Sequence, residues 1–331
     1  MGHIMKANKI YYLLIILIFT FILRCIPFYL SVGLPLQWDA IAISYGATNI
    51  ETTGNLVPDR IQEIGYSPDS STSVYYPISQ ILLFNLSSSS GIPPYKMIVI
   101  ISLFFSVIIP ILIYILVKEI YMNEGYALFS AFLTGASTTL SGPIAWATIF
   151  NLQGYVLFLL TIYGALKFKA NNKIEWIIFS LFILIGLIFT HQLTFFVFGL
   201  SLLFYSIFKI SNLKKFFVLL SIVIISSFVA INTFFGYRGE GPFQYIIKFI
   251  YEGSSWGMQD LSRAHPIWSY PSSWGYTITI LGFIGIISMI ITKKVYLRYF
   301  IVSILLVSVV MGNIHYLGFN LLPERDRKSV V

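Results

Sequence analysis

Charge is scarce in this sequence. Lys, Arg, Asp and Glu together make up 10% of the 331 residues, whereas hydrophobic residues make up 57% and the mean hydropathy is +0.83. A soluble domain carries about 25% charged residues. No globular core could bury so large an apolar fraction, so most of it must face lipid. The composition therefore excludes an ordinary soluble enzyme and predicts an integral membrane protein.

Cysteine is almost absent as well. The sequence contains one cysteine, Cys25, which excludes an internal disulfide and a cysteine-rich metal site. The formal charge of +8 would suit a nucleic-acid partner, but the lysines lie mostly in short links between apolar runs. That distribution is typical of membrane topology and not of a binding patch. We therefore expect no nucleic-acid partner.

Apolar runs recur along the whole chain. Because about 20 apolar residues cross about 30 Å of hydrocarbon, the runs predict an all-α polytopic membrane protein with about nine to ten transmembrane helices. We expect one transmembrane domain over residues 1–325. We expect the last six residues, 326–331, to be a non-native tail, and the natural chain to continue beyond residue 325 with a different sequence. The predicted spans are 10–30, 95–117, 125–141, 152–167, 174–190, 193–209, 216–235, 274–292 and 296–312.

The basic residues predict an orientation. If the N-terminus lies in the cytoplasm, most cations fall on the inner side of the plasma membrane, as the positive-inside rule requires. The polar segments 31–76 and 236–273 then lie on the outer face, where we expect any active site. The inner set is Lys6, Lys9, Lys118, Lys167, Lys169, Lys173, Lys209, Lys214, Lys215, Lys293, Lys294 and Arg298.

The first polar segment carries an acid, Asp39, close after the end of the first apolar run. Apolar residues then recur at helical spacing and predict a short amphipathic helix on the membrane surface, ended by Gly54. Asp39 at the start of this helix suits either a catalytic base or a helix N-cap. The apolar positions are Ala40, Ile41, Ile43, Ala47 and Ile50.

Proline and glycine mark the next boundaries. Pro77 suits a first helical turn, because its missing N–H has no helical partner there, and it predicts a short helix to about Leu86. A serine cluster and the segment 91–94, Gly-Ile-Pro-Pro, then interrupt the chain before the next span.

Several short motifs follow one another on the predicted outer side. Arg24 closes the first span, Asp39 lies early in the first loop, and a surface helix ends near Gly54. Tyr76-Pro77, Thr190–Thr194 and Leu322–Arg325 complete the series. This layout resembles the GT-C superfamily of polytopic glycosyltransferases, and more particularly its archaeal-type members. Oligosaccharyltransferase subunits, protein O-mannosyltransferases and aminoarabinose transferases belong to that superfamily.

The resemblance implies a polyprenyl-phosphate-linked sugar as donor and a glycan or protein as acceptor. It implies that Asp39 deprotonates the acceptor hydroxyl and that cations bind the donor phosphate, for which guanidinium groups suit the geometry. Arg24, Arg325 and Arg238 are the phosphate candidates, although Arg24 could equally extend its side chain to the lipid headgroups. Further candidates, each also readable as an ordinary loop or structural residue, are His191, Glu240, Tyr76 and Arg263.

The sequence departs from one branch of the superfamily. Oligosaccharyltransferases carry an Asp-x-Asp or Glu-x-Glu pair for a divalent ion and a Trp-Trp-Asp motif, and neither is present here. Hard divalent cations require several oxygen ligands. We therefore expect a transfer without metal or other cofactor, as in the mannosyltransferase branch.

Three other classes remain open. A polysaccharide polymerase or ligase outside the GT-C superfamily would also use outer arginines and a lipid diphosphate, but Asp39 would be dispensable. A transporter would require ionisable groups or helix breaks at mid-membrane and internal repeats, and the sequence shows no acid in the middle of a predicted span and no clear repeat. A membrane scaffold without activity is less consistent with the long acidic first loop.

Overall fold

The computed structural model describes residues 2–30, 38–54, 77–137, 149–171 and 173–190. It also describes 194–195, 198–201 and the positions 280, 284, 287, 302, 303 and 306. Every regular element within these ranges is a helix. In chain order they are α1 (Gly2–Leu30), α2 (Trp38–Thr53), α3 (Pro77–Ser90), α4 (Pro94–Tyr121), α5 (Glu124–Ala136), α6 (Ile149–Asn171) and α7 (Ile174–Thr190).

Three of these helices are long and apolar enough to cross a membrane: Ile10–Tyr29 within α1, Pro94–Tyr121, and Ile149–Phe168 within α6. They coincide with three of the predicted spans. The all-helical class is thus confirmed for the described residues, and three of their helices are able to cross a membrane. The count of nine to ten spans stays a prediction, because the spans predicted after residue 192 lie almost wholly outside the described ranges.

The helix boundaries follow the glycine and proline signals. α2 is followed by Gly54 at φ +73° and α3 by Gly91 at φ +69°, a left-handed conformation that glycine adopts without a steric penalty. Pro77 and Pro94 are the first residues of α3 and α4. The end of α2 and the starts of α3 and α4 confirm the predictions, whereas α3 continues through the serine cluster to Ser90, four residues past its predicted end at about Leu86.

The helix α5 is shorter than the sequence predicts. It has 13 residues and ends at Ala136, five residues before the predicted end at 141. At a rise of about 1.5 Å per residue it is about 20 Å long, less than the roughly 30 Å of a bilayer core. Asn123 caps its start by accepting a hydrogen bond from the Tyr126 N–H at 3.2 Å.

Contacts between helices bring several helix ends together. The rings of Phe19 in α1 and Phe132 in α5 stack at 5.8 Å, and Arg24 lies at the end of α5, so α1 and α5 run parallel. Lys118 at the end of α4 pairs with Glu124 at the start of α5, with an N–O distance of 2.9 Å. The start of α1, the end of α4 and the start of α5 therefore lie at one end of this group.

The last turns of α6 lie at the same end of the group as the end of α4. Lys167 in α6 pairs with Glu119 in α4 at 2.5 Å, and α7 packs against α6 beginning just after Lys173. We call this the lysine end, defined by Lys118, Lys167 and Lys173. The geometry thus brings Lys118 of α4 and Lys167 of α6 to one end, together with Lys173 just before α7, whereas the side of the membrane on which they lie stays a prediction.

The chain divides into two compact units, and all seven helices belong to the first, Met1–Pro68 with Thr72–His191. The core of this unit is one apolar cluster to which α1, α2, α3, α4 and α6 contribute. Its buried members are Phe28, Ala40, Ile43, Ala47, Leu83, Met97, Ile98, Val99, Ile101, Ile109, Ile149, Phe150, Leu152 and Val156.

Candidate functional site

Asp39 is the second residue of α2, which begins at Trp38. The residue therefore lies within the first turn, rather than before the helix as an N-cap would. An acidic residue at this position is favourable, because the N-terminal end of a helix carries a partial positive charge. The side chain of Asp39 is outside the described part of the structure, so its role as a base stays a prediction.

The apolar stripe of α2 packs inside the protein. Ala40, Ile43 and Ala47 are 0%, 2% and 0% exposed, and they contact the core shared with α3 and α4. Ile41, by contrast, lies on the open side of the helix. The sequence correctly predicts a helix here, but the expectation that its main apolar face rests on lipid is wrong. The helix that carries Asp39 is instead anchored by buried contacts to the bundle.

Arg24 is buried, with only 5% of its surface exposed. Its Nη2 donates hydrogen bonds to the carbonyl oxygens of Ser137 at 2.8 Å, Gly135 at 2.9 Å and Thr134 at 3.3 Å. Because the last carbonyls of a helix have no partner within it, and carry a partial negative charge, a cation at this position caps α5. The alternative of a side chain extended to the headgroups is wrong.

The Arg24 guanidinium has a hydrogen-bond donor that is not used by α5. Its Nε is buried and has no hydrogen-bond partner within the described part of the chain. A buried N–H of a charged group without a partner is costly, at about 1–3 kcal/mol or more. The group can therefore cap α5 with one nitrogen and still present a donor to an acceptor or anion.

Arg24 lies several residues before the end of the apolar part of α1. The apolar part of α1 runs to Tyr29. Five residues of helix correspond to about 7.5 Å, so the Arg24 backbone is set back from the end of the span by that length. Thr20, one turn earlier, is fully buried and bonds to the Ile16 carbonyl at 2.8 Å. Gly135 lets the two helices approach closely, because a Cβ there would collide with the Thr20 hydroxyl.

The helices that carry Arg24 and Asp39 share one core. Phe28 lies one turn after Arg24 on α1 and is 5% exposed. It belongs to the same apolar cluster as Ala40 and Ile43, which directly follow Asp39 in α2. Packing thus holds the last turns of α1 and the first turns of α2 against one core.

A set of buried polar residues escaped the sequence analysis. Ser79 and Gln80 on α3 are 0% and 1% exposed, and the Ser79 hydroxyl donates to Oε1 of Gln153 in α6 at 2.8 Å. Gln80 lies against Gly46 of α2. In the sequence, the feature that could have indicated them is a Ser-Gln pair at the start of an apolar run, directly after the proline that begins α3.

The remaining predicted site residues lie outside the described part of the structure, and their roles stay predictions. They are Tyr76, His191, Arg238, Glu240, Arg263 and Arg325. Within the described ranges, no three His, Cys, Asp or Glu side chains come together to hold a metal ion. Metal-independent transfer likewise stays a prediction.

The chain matches no protein-family model and no curated protein sequence.

Proposed function

We propose that this chain is a membrane glycosyltransferase. It transfers a sugar from a polyprenyl-phosphate-linked donor to an acceptor hydroxyl at the outer face of the membrane, without a metal ion. The observation that carries the proposal is the anchoring of α2, which begins at Trp38 and keeps three residues of its first three turns in the core. A catalytic base must be held within hydrogen-bond reach of the proton that it removes, and Asp39 lies in the first turn of this anchored helix.

The proposed reaction assigns a role to each of these groups. The acceptor oxygen forms a bond to the anomeric carbon of the sugar, while the bond from that carbon to the phosphate oxygen breaks. The Asp39 carboxylate takes the hydroxyl proton, and the electron pair leaves on polyprenyl phosphate. Negative charge therefore grows on the phosphate as the bond breaks, and a nearby cation stabilises it.

Arg24 is the described cation that suits the leaving phosphate. It is buried, its Nε has no partner, and its helix shares a core with α2. The apolar tail of the donor needs a bilayer beside the site, and the exposed apolar residues of α1 supply a lipid-facing surface along the same helix. Arg238 and Arg325 are the other phosphate candidates.

Replacing the proposed base tests the function. Asp39→Asn keeps the shape of the side chain but removes the proton acceptor, and we expect kcat to fall by about 10²- to 10⁴-fold. Glu51→Gln is the matched control, because it removes one exposed carboxylate near the other end of α2. Transfer of labelled mannose from polyprenyl-phosphate mannose to an alkyl mannoside is measured in proteoliposomes.

The same assay separates the alternatives. Full activity of Asp39→Asn, with wild-type expression and membrane insertion, would show that Asp39 is not the catalytic base. It would favour a polymerase or ligase of another superfamily. Loss of activity in both variants would show an effect of charge on α2 rather than of a base.

A further inference from the structure

Gly46 of α2 lies directly against the side-chain amide of Gln80 in α3. A Cβ added at Gly46 would be 2.7 Å from Cδ of Gln80 and 2.9 Å from both Nε2 and Oε1. All three amide atoms are thus equally close, so the flat face of the amide rests on the glycine. Gln80 is 1% exposed, which leaves the amide little room to move away.

A neighbouring residue joins α3 to α6. Ser79, the neighbour of Gln80, donates its hydroxyl proton to Gln153 at 2.8 Å, and both residues are buried. Hydrogen bonds between helices in an apolar setting stabilise the packing of those helices. α3 therefore links α2 to α6 through two adjacent polar residues.

We infer that Gly46 and Gln80 are positioning residues, which set the distance between α2 and α3 and thereby the place of Asp39. The inference rests on the proposed function. Gly46 and Asp39 are seven residues apart on one helix, which is two turns or about 10.5 Å. A displacement of α2 at Gly46 is carried to its first turn, because a helix of this length moves as a rigid body.

The size of the effect follows from the contact distances. Ordinary contacts of a Cβ begin at 3.4 Å, whereas the amide carbon lies at 2.7 Å from the Cβ position. A methyl group at Gly46 would therefore displace the Gln80 amide by several tenths of an ångström, and because this side chain is buried, the displacement disturbs the packing of α3 on α2. Misplacement of a reacting group by about 1 Å costs about 100-fold in rate.

Gly46→Ala is the direct test. Alanine favours a helix more than glycine does, so any loss must come from the contact with Gln80. We expect kcat for sugar transfer to fall by about 10- to 100-fold, while the KM for polyprenyl-phosphate mannose stays within about two-fold. Gly186→Ala in α7 is the control, because the nearest atom to its added Cβ lies at 3.7 Å.

A second variant shows whether the amide is the cause. Gln80→Ala makes room for the methyl group, so the double variant with Gly46→Ala should have a kcat about ten-fold above that of Gly46→Ala alone. If Gly46→Ala does not fold, Gln80→Ala alone serves, and its kcat should fall with KM unchanged.

The outcomes separate the two proposals. An active wild-type chain whose Gly46→Ala variant, or Gln80→Ala variant, keeps the wild-type kcat overturns the positioning role alone. An increase in KM without a change in kcat also overturns it. A wild-type chain that transfers no sugar overturns the proposed function and this inference together.

Discussion

The buried cation Arg24 makes several hydrogen bonds to a distant helix in an apolar bundle. One of its nitrogens reaches three carbonyl oxygens at the end of α5, more than 100 residues away in the sequence. Irregular backbone at membrane depth requires such partners, because lipid offers no hydrogen bonds. Arg24 thus gives partners to the Thr134 and Gly135 carbonyls in the last turn of α5, which ends at Ala136.

Replacing Arg24 should reveal two separate roles. Arg24→Leu removes the cap and should lower the free energy of unfolding by about 3–5 kcal/mol, since buried charged partners are strongly coupled. Arg24→Lys keeps one charge for the carbonyls but loses Nε, so it should retain more stability. Thermal unfolding of the purified protein in detergent measures both effects.

Donor kinetics then separate the cap from the phosphate role. If Nε contacts the donor, Arg24→Lys should raise the KM for polyprenyl-phosphate mannose while the fold is kept. Lys96→Gln, which removes an exposed charge at the start of α4, is the control. An unchanged donor KM in a folded Arg24→Lys variant would leave Arg24 as a helix cap only.

At the scale of the helices, the sequence predicts boundaries that are set by residues at the boundary itself. It does not predict boundaries or contacts that depend on residues of other helices. Gly54 and Pro77 act on their own backbone, so the end of α2 and the start of α3 could be predicted from them. The end of α5 could not, because its cap comes from α1. The stripe on α2 is equally apolar whether it meets lipid or protein, so periodicity alone could not decide what covers it.

The α6–α7 hairpin offers a test of packing between helices. A Cβ at Gly164 would lie 3.0 Å from Cδ1 of Phe179 and closer still to the Ser180 hydroxyl. Gly164→Ala should therefore destabilise the protein by about 1–3 kcal/mol, as overpacked cores do. Thermal unfolding in detergent is the measurement.

The same hairpin contains the matched control. A Cβ at Gly186 would lie 3.7 Å from Cδ1 of Leu157, which is an ordinary van der Waals contact. Gly186→Ala should therefore be neutral, or stabilise the protein by up to about 1 kcal/mol through the higher helix propensity of alanine. Equal effects of the two substitutions would contradict the packing of α6 on α7.

For the whole molecule, the lysine end provides the best guide to orientation. Lys118 and Lys167 each pair with a glutamate and lie near a tyrosine ring, at 5.6 Å and 5.5 Å from the ring centres. Such mixed polar and aromatic groups are typical of the membrane interface. The site candidates Arg24 and Asp39 are on the last turns of α1 and the first turn of α2, away from the start of α1.

Labelling of single cysteines tests this orientation. In a Cys25→Ser background, Met122→Cys lies at the lysine end and Ser88→Cys near the opposite end of α4, and both positions are exposed. A membrane-impermeant maleimide applied to intact cells should label Ser88→Cys and spare Met122→Cys until the cells are opened. The reverse pattern would contradict a cytoplasmic lysine end and an outer active site.

The fate of the donor tests the central claim most directly. Wild-type protein is placed in proteoliposomes with polyprenyl-phosphate mannose, an alkyl mannoside and a chelator of divalent ions. The account predicts that each mannose transferred releases one polyprenyl phosphate, and that the chelator leaves the rate unchanged. A donor that stays intact with the wild-type protein, whether or not divalent ions are present, would contradict the account.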